Sequence, residues 1–248
     1  MNKTSLSVNL NKVALLRNAR GSNYPSLIDI ARICSNHEIC GITLHPRQDE
    51  RHATSSDVIE ISNFCKEQNL EFNIEGNPFT IENGSFRGFG NLVKEINPHQ
   101  ATLVPDVENQ VTSDHGWSSG NHDGELKLIV DRIKSQCDFV SLFIDAEKES
   151  VDYALDIGVN AVEIYTGPYA KLNASEKQKY IDKMYEIFEY IKLNNLKLNA
   201  GHDLNLENLS DLIELNIIDE VSIGHAIITE SLVYGLDNIL SKYIKIIK

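Results

Sequence analysis

Short apolar runs of four to six residues recur along the chain. Between them lie longer stretches in which apolar residues return every three or four positions. The short runs read as buried strands, at 6–9, 39–44, 70–75, 101–104, 139–144, 161–165, 196–199 and 220–223. The longer stretches read as amphipathic helices. One opens at Pro25 and carries Leu27, Ile28, Ile30, Ala31 and Cys34. Ser55-Ser56-Asp57 caps a second, which bears Val58, Ile59, Ile61 and Phe64 and ends near Gln68-Asn69. A short helix holds Leu92, Val93 and Ile96, and others are expected at 125–135, 149–157, 175–193, 206–215 and 227–246. Residues 11–21, which include Asn11, Lys12, Arg17, Asn18 and Arg20, read as a polar loop.

Eight strands, each followed by a helix, imply a parallel sheet, and eight such units imply closure into a (β/α)8 TIM barrel occupying residues 1–248 as one domain. An open doubly wound sheet is the alternative, but no GxGxxG follows the first strand. The segment 108–124 is rich in Ser, Gly, Asp and His and carries the single tryptophan, Trp117. Connections of that length are uncommon, so it is expected to be an active-site lid.

In a parallel barrel the chemistry collects where the strands stop. The residues there are Asn9, His45, Glu75, Asp145, Glu163, Asn199, His202 and His225. Glu163 stands between Val162 and Ile164, so it points into the barrel, where a carboxylate needs partners or a raised pKa. Gly224-His225, between the last strand and the last helix, has the position of a phosphate cradle. Arg20, Arg47 and His52 offer a second anion site, and two anion sites around a His/Glu centre point to the joining of two small phosphorylated molecules. Apart from His45 and Glu75, which have ligand chemistry, no residue set has the look of a metal cluster.

The charge balance narrows the partners. With 23 basic and 36 acidic residues the net charge is -13, which disfavours nucleic acid and anionic membranes. Cys34, Cys40, Cys65 and Cys137 lack CxxC spacing and read as reduced packing residues. The first residues have no signal-peptide core, and no apolar run reaches the ~20 residues of a membrane helix, so a cytoplasmic protein is expected.

These residues fall in ordered motifs: Val8-Asn9; Leu16-Arg17-Asn18-Ala19-Arg20-Gly21; Gly41-Ile42-Thr43 with His45-x-Arg47 and Arg51-His52; Asn73-Ile74-Glu75; Leu103-Val104-Pro105; Ser141 to Asp145; Glu163-Ile164-x-Thr166-Gly167; Asn199-Ala200-Gly201-His202; and Ile223-Gly224-His225. In this the chain resembles the pyridoxine 5′-phosphate synthase family along nearly its whole length. The resemblance implies a barrel enzyme of vitamin B6 biosynthesis that condenses 3-amino-2-oxopropyl phosphate with 1-deoxy-D-xylulose 5-phosphate. It would release pyridoxine 5′-phosphate, inorganic phosphate and water, without metal or organic cofactor. It further implies His45 and Glu75 as proton acceptors, His202 as proton donor and Glu163 as the transition-state-stabilising glutamate. Asn9, Arg20, Gly224 and His225 would contact the aminoketone phosphate or the product. Arg47, His52 and Thr112 would contact the pentulose phosphate, with Arg47 and His52 as cationic donors to the departing phosphate. A homo-octamer is also implied, in which a neighbour's arginine completes the site.

The chain departs from that pattern in places. Asn11-Lys12, kept as pentulose-phosphate contacts, stand where many members have Asp-His, and Asp203 stands where glycine is common. The loop around Thr112 is longer than the family pattern. Glu71 competes with Glu75, but Glu75 has the Asn-x-Glu context and lies nearer the strand end. A sugar-phosphate isomerase or aldolase, and a non-catalytic phosphate-ligand binder, are the alternatives. A Schiff-base aldolase needs a lysine at a strand end, and Lys197 begins its strand instead.

Overall fold

Strand parity decides the architecture. In the computed structural model, which describes residues 4–107, 110–120 and 122–248, alternate strand residues face opposite sides of one closed sheet. The elements run β1 (Ser5–Asn9), α1 (Asn11–Asn18), α2 (Leu27–Ser35), β2 (Gly41–Leu44), α3 (Ser55–Gln68), β3 (Glu71–Gly76), α4 (Phe89–Ile96), β4 (Gln100–Leu103), α5 (Asp123–Ile133) and β5 (Phe139–Ile144). There follow α6 (Lys148–Ile157), β6 (Ala161–Tyr165), α7 (Gly167–Ala170), α8 (Ala174–Leu193), β7 (Lys197–Gly201), α9 (Leu209–Ile213), β8 (Glu220–Ile223), α10 (His225–Tyr234) and α11 (Leu236–Ile247). Each strand pairs in parallel with the next, and β8 returns to β1 with Ser7 opposite Ser222. The expected (β/α)8 barrel is the fold.

The outward positions are apolar: Leu6 and Val8, Ile42 and Leu44, Phe72 and Ile74, Leu142 and Ile144, Val162 and Ile164, Val221 and Ile223 all pack in the core shared with the helices. The inward positions are polar to an unusual degree for a fold whose interior is commonly filled by branched apolar chains. Ser7 hydrogen-bonds Thr43 at 2.8 Å, Thr102 donates to Asn73 at 3.0 Å, and Asn199 donates to Gln100 at 2.9 Å. At the N-terminal end of the strands Lys197 meets Glu220 at 2.8 Å and Glu71 at 4.0 Å. Burial works against the charge on Lys197, but Glu220 and then Glu71 outweigh it and raise its pKa. Cys40, Glu71 and Glu220 lie close enough together to hold a cation, and the Lys197 ammonium is the cation beside them.

Three expectations are corrected here. Residues 11–18 form α1 instead of a loop, and its buried side is Val13, Ala14 and Arg17, while Leu15 and Leu16 face outward. Arg17 is buried because it forms a two-pronged pair with Asp57, the N3 residue of the capping box that Thr54 makes at the start of α3. The helix expected over 227–246 is two helices, broken at Gly235, whose φ of 81° is a left-handed turn. The helix expected from residue 206 begins at Leu209, because the Asn205 side chain accepts from the Glu207 and Asn208 amides and makes a turn there instead.

Candidate active site

The C-terminal rim gathers the titratable groups. His45 follows β2 and is 6% exposed, and Glu75 lies near the end of β3. Glu75 Oε2 stands 3.6 Å from His45 Nδ1 and accepts from Asn9 Nδ2 at 3.4 Å. The first turn of α1 fixes this group: the Asn11 amide donates to Asn9 Oδ1 at 3.0 Å, and the Asn11 side chain accepts from the His45 amide at 2.9 Å. Asn11 thus orients the His45 backbone. Asn18 does the same for the loop beyond, donating to the carbonyls of Glu50 and His52.

Glu163 points into the barrel, as its alternation predicts. Burial, and then the charges of Glu75 and Glu220, raise its pKa well above the ordinary carboxyl value, which favours the protonated carboxyl. Its Oε2 is buried without a partner among the described residues. Gly201 makes room for it, since a Cβ at that position would lie 2.3 Å from Glu163 Oε1. A neutral carboxyl in this place can donate a hydrogen bond to a developing oxyanion.

The cations sit on one side. Arg47 pairs with Asp106 and donates to the Gln110 carbonyl at 2.9 Å. Arg51 donates to the carbonyls of Gln110 and Val111. His52 differs from expectation: burial, reinforced by His45, Arg47, Arg51 and Lys12, pushes it down to about 2. It is therefore a neutral imidazole and cannot be the cationic donor expected of it. Across the mouth, Thr112 Oγ1 hydrogen-bonds His202 Nε2 at 2.9 Å. His202 and Asp203 both have left-handed backbones, with φ of 81° and 60°, a conformation glycine takes without strain. Thr166 clamps them by donating to the carbonyls of Gly201 and His202. Gly224 leaves space for Asn9, whose Cβ would be 2.9 Å from a Cβ at 224. An apolar wall of Val104, Phe143 and Tyr165 lines the rim, with Tyr165 edge-on to His202 at 5.2 Å between centroids.

Residues 6–248 match the family described as pyridoxal phosphate biosynthesis protein PdxJ. A pyridoxine 5′-phosphate synthase of Cytophaga hutchinsonii is 43% identical over 246 residues, 99% of either chain. One of Xanthomonas axonopodis pv. citri is 41% identical over 250 residues, 99% of this chain and 97% of that one. This chain belongs to the PdxJ family. Solved structures add agreement in fold alone. A thiamine phosphate pyrophosphorylase of Pyrococcus furiosus has a TM-score of 0.62 at 11% identity, covering 99% of this chain and 96% of that one. A tryptophan synthase alpha-subunit of the same organism also scores 0.62 at 11% identity, covering 99% and 97%.

Within this PdxJ barrel, Asn9, Glu75 and Glu163 sit on β1, β3 and β6, His45, Arg47 and His52 on the loop after β2, and Gly224 just after β8, while Asn11 opens α1. Thr112, His202 and Asp203 stand at the rim, and His225 opens α10 with its pKa lowered by burial and then by Lys12. Arg20 lies exposed in the turn after α1 and shares no hydrogen bond or ion pair with the others among the described residues. Glu71 is at the opposite end of β3, beside Lys197 and His99. Two strand-end residues serve other purposes: the Asp145 carboxylate accepts from the Gly116 amide, and Asn199 is bonded inside the barrel. Residues 108, 109 and 121 of the expected lid lie outside the described residues. Gly116 and Trp117 of that segment are built into the barrel, since the Gly116 amide donates to Asp145 and Trp117 donates from its indole to the Leu103 carbonyl and from its amide to the Phe143 carbonyl. Sequence reasoning missed Asp106, Phe143 and Tyr165. Asp106 had a signal, because it follows the Leu103-Val104-Pro105 motif at a strand exit. A surface cleft of about 520 Å³, lined by Lys66, His99 and Lys134, includes none of the rim residues.

Proposed function

We infer that this chain is a pyridoxine 5′-phosphate synthase, joining 3-amino-2-oxopropyl phosphate to 1-deoxy-D-xylulose 5-phosphate. What supports the reading best is the placing of His45, Glu75, Glu163 and His202 around one rim. The amine adds to the ketone carbon, and loss of water gives an imine. Enamine formation then permits expulsion of phosphate, and ring closure with loss of further water completes the pyridine. Each step moves a proton, which needs acceptors and donors on both sides of the substrate.

His45 and Glu75 are the proton acceptors and His202 the proton donor. Glu163 donates from its neutral carboxyl to the oxygen on which charge develops. Arg47 binds the pentulose phosphate in bidentate fashion, and neutral His52 contributes a hydrogen bond instead of charge. Lys12 adds a positive charge near His225 and His52. Gly224 and His225 receive the aminoketone phosphate at the start of α10. Segment 110–115 acts as the lid through Thr112, moving with Gln110 when a phosphate takes Arg47. The reaction runs in the cytoplasm, with no metal or organic cofactor. Leu15, Leu16, Tyr24, Leu232, Val233 and Tyr234 are exposed apolar residues on α1, α10 and the turn between α1 and α2, and they support assembly with further copies into an octamer. In that assembly Arg20 of one copy reaches a neighbour's phosphate site.

The test is phosphate release and product formation with both substrates in the presence of a chelator, beside the His202→Asn variant. The parent is expected to form pyridoxine 5′-phosphate, and the variant to lose about 10²–10⁴-fold in kcat. A parent that binds both phosphates and forms no ring overturns the reading.

A further inference from the structure

One carboxylate in the rim has no role in the reaction as described above. Asp106 leaves β4 after Val104-Pro105 and is 6% exposed. Its Oδ2 meets two groups: the Arg47 guanidinium, with which it is ion-paired, and His45 Nε2 at 3.4 Å. Among the described residues its Oδ1 is buried without a partner, so the carboxylate retains accepting capacity. His45 therefore lies between two acids, with Glu75 3.6 Å from Nδ1 and Asp106 3.4 Å from Nε2. Its backbone is fixed by Asn11.

A neutral imidazole acts as a base through one nitrogen while the other holds the proton. The partner of the protonated nitrogen decides which is which. A carboxylate ion-paired to a guanidinium is an acceptor only, and Asp106 lies nearer its imidazole nitrogen than Glu75, which is also engaged by Asn9, so Asp106 is placed to hold the hydrogen on Nε2. The lone pair is then on Nδ1, on the side of Glu75. We propose that Asp106 is a positioning residue for this reaction: its Oδ2 accepts the Nε2–H of His45 and so leaves the Nδ1 lone pair to take a proton from the substrate.

The same oxygen links the base to phosphate binding. Arg47 gives one nitrogen to Asp106 and the other to the Gln110 carbonyl, so its fork is already set out for an oxyanion. When a substrate phosphate draws Arg47 away, Oδ2 is left with His45 alone. The hold on the imidazole tightens as the substrate arrives.

The proposal rests on the reading of the barrel as a pyridoxine 5′-phosphate synthase, and steady-state kinetics separate the two. The set is the parent, Asp106→Asn and Asp106→Glu, with thermal melting of each to establish folding. Asparagine can donate to Nε2 and so favours the wrong tautomer, an exchange that at other imidazole–carboxylate pairs reduces kcat by up to about 10⁴-fold. The expected result is a fall in kcat of about 100-fold or more for Asp106→Asn, with KM for the pentulose phosphate within about threefold of the parent. Asp106→Glu is expected to recover at least about a tenth of the parent kcat. A residue that merely tethers Arg47 would move KM and spare kcat, and that split overturns the proposal. So does a folded Asp106→Glu as slow as the Asn variant. Should Asp106→Asn fail to fold, Asp106→Ser replaces it under the same criteria. A parent without turnover sinks the functional reading and this proposal together, whereas an active parent with an equally active Asn variant sinks the proposal alone.

Discussion

Glu163 shows how one side chain's surroundings set both its chemistry and its effect on stability. Its pKa lies well above the ordinary 4.5, chiefly because burial penalises the charged form. The folded chain therefore keeps a proton that the unfolded chain releases above about pH 4.5, and stability falls as pH rises from there to the folded pKa. Glu163→Gln has no such proton to keep. Its stability advantage over the parent is expected to grow with pH in that window, by up to about 1.4 kcal/mol per pH unit. Urea melts at several pH values check this, and a constant difference between the two proteins would contradict it. The inward direction of Glu163 was legible from the apolar residues on either side, as was the position of Glu75 nearer the strand end than Glu71. The charge of His52 was not legible. It depends on burial beside His45, Arg47 and Arg51, and local sequence carries neither burial nor the approach of other loops.

Among the elements, the connection after β4 joins a fixed half to a half held by arginines. Gly116 and Trp117 are bonded to β4 and β5, whereas Gln110 and Val111 are held through their carbonyls by Arg47 and Arg51. Arg51→Ala removes two of those donations. The expected outcome is faster protease cleavage within 107–115 in the free protein and a severalfold higher KM for the pentulose phosphate, with folding intact; unchanged cleavage would show that the arginine does not anchor the segment. The eight strands and most helices were legible because short apolar runs alternate with longer stretches whose apolar residues return at helical spacing. α1 was hidden by an inverted pattern: Arg17 is buried against Asp57 while Leu15 and Leu16 face out. The break at Gly235 was hidden because apolar residues run through it from Leu232 to Leu236. Asp106 escaped because the reading stopped at the strand-ending proline.

At the scale of the molecule the two ends of the barrel divide function from stability. Reactive groups occupy the C-terminal rim, and the Lys197–Glu220 pair, backed by Glu71, closes the other end. Removing one partner of a buried pair leaves an uncompensated charge, at a cost of about 3–5 kcal/mol. Lys197→Met is expected to lose stability of that order in chemical denaturation while each folded molecule turns over at the parent rate. Loss of turnover without loss of stability would instead favour a chemical role for Lys197.

The polar lining of the barrel also shapes the response to temperature. Exposure of apolar surface raises the heat capacity of unfolding, and exposure of polar surface lowers it. Ser7, Thr43, Asn73, Gln100, Thr102 and Asn199 occupy positions that branched apolar chains fill in many barrels of this kind. Unfolding this chain therefore releases a smaller heat-capacity increment than an apolar-filled barrel of equal length, and its stability varies less steeply on either side of the optimum.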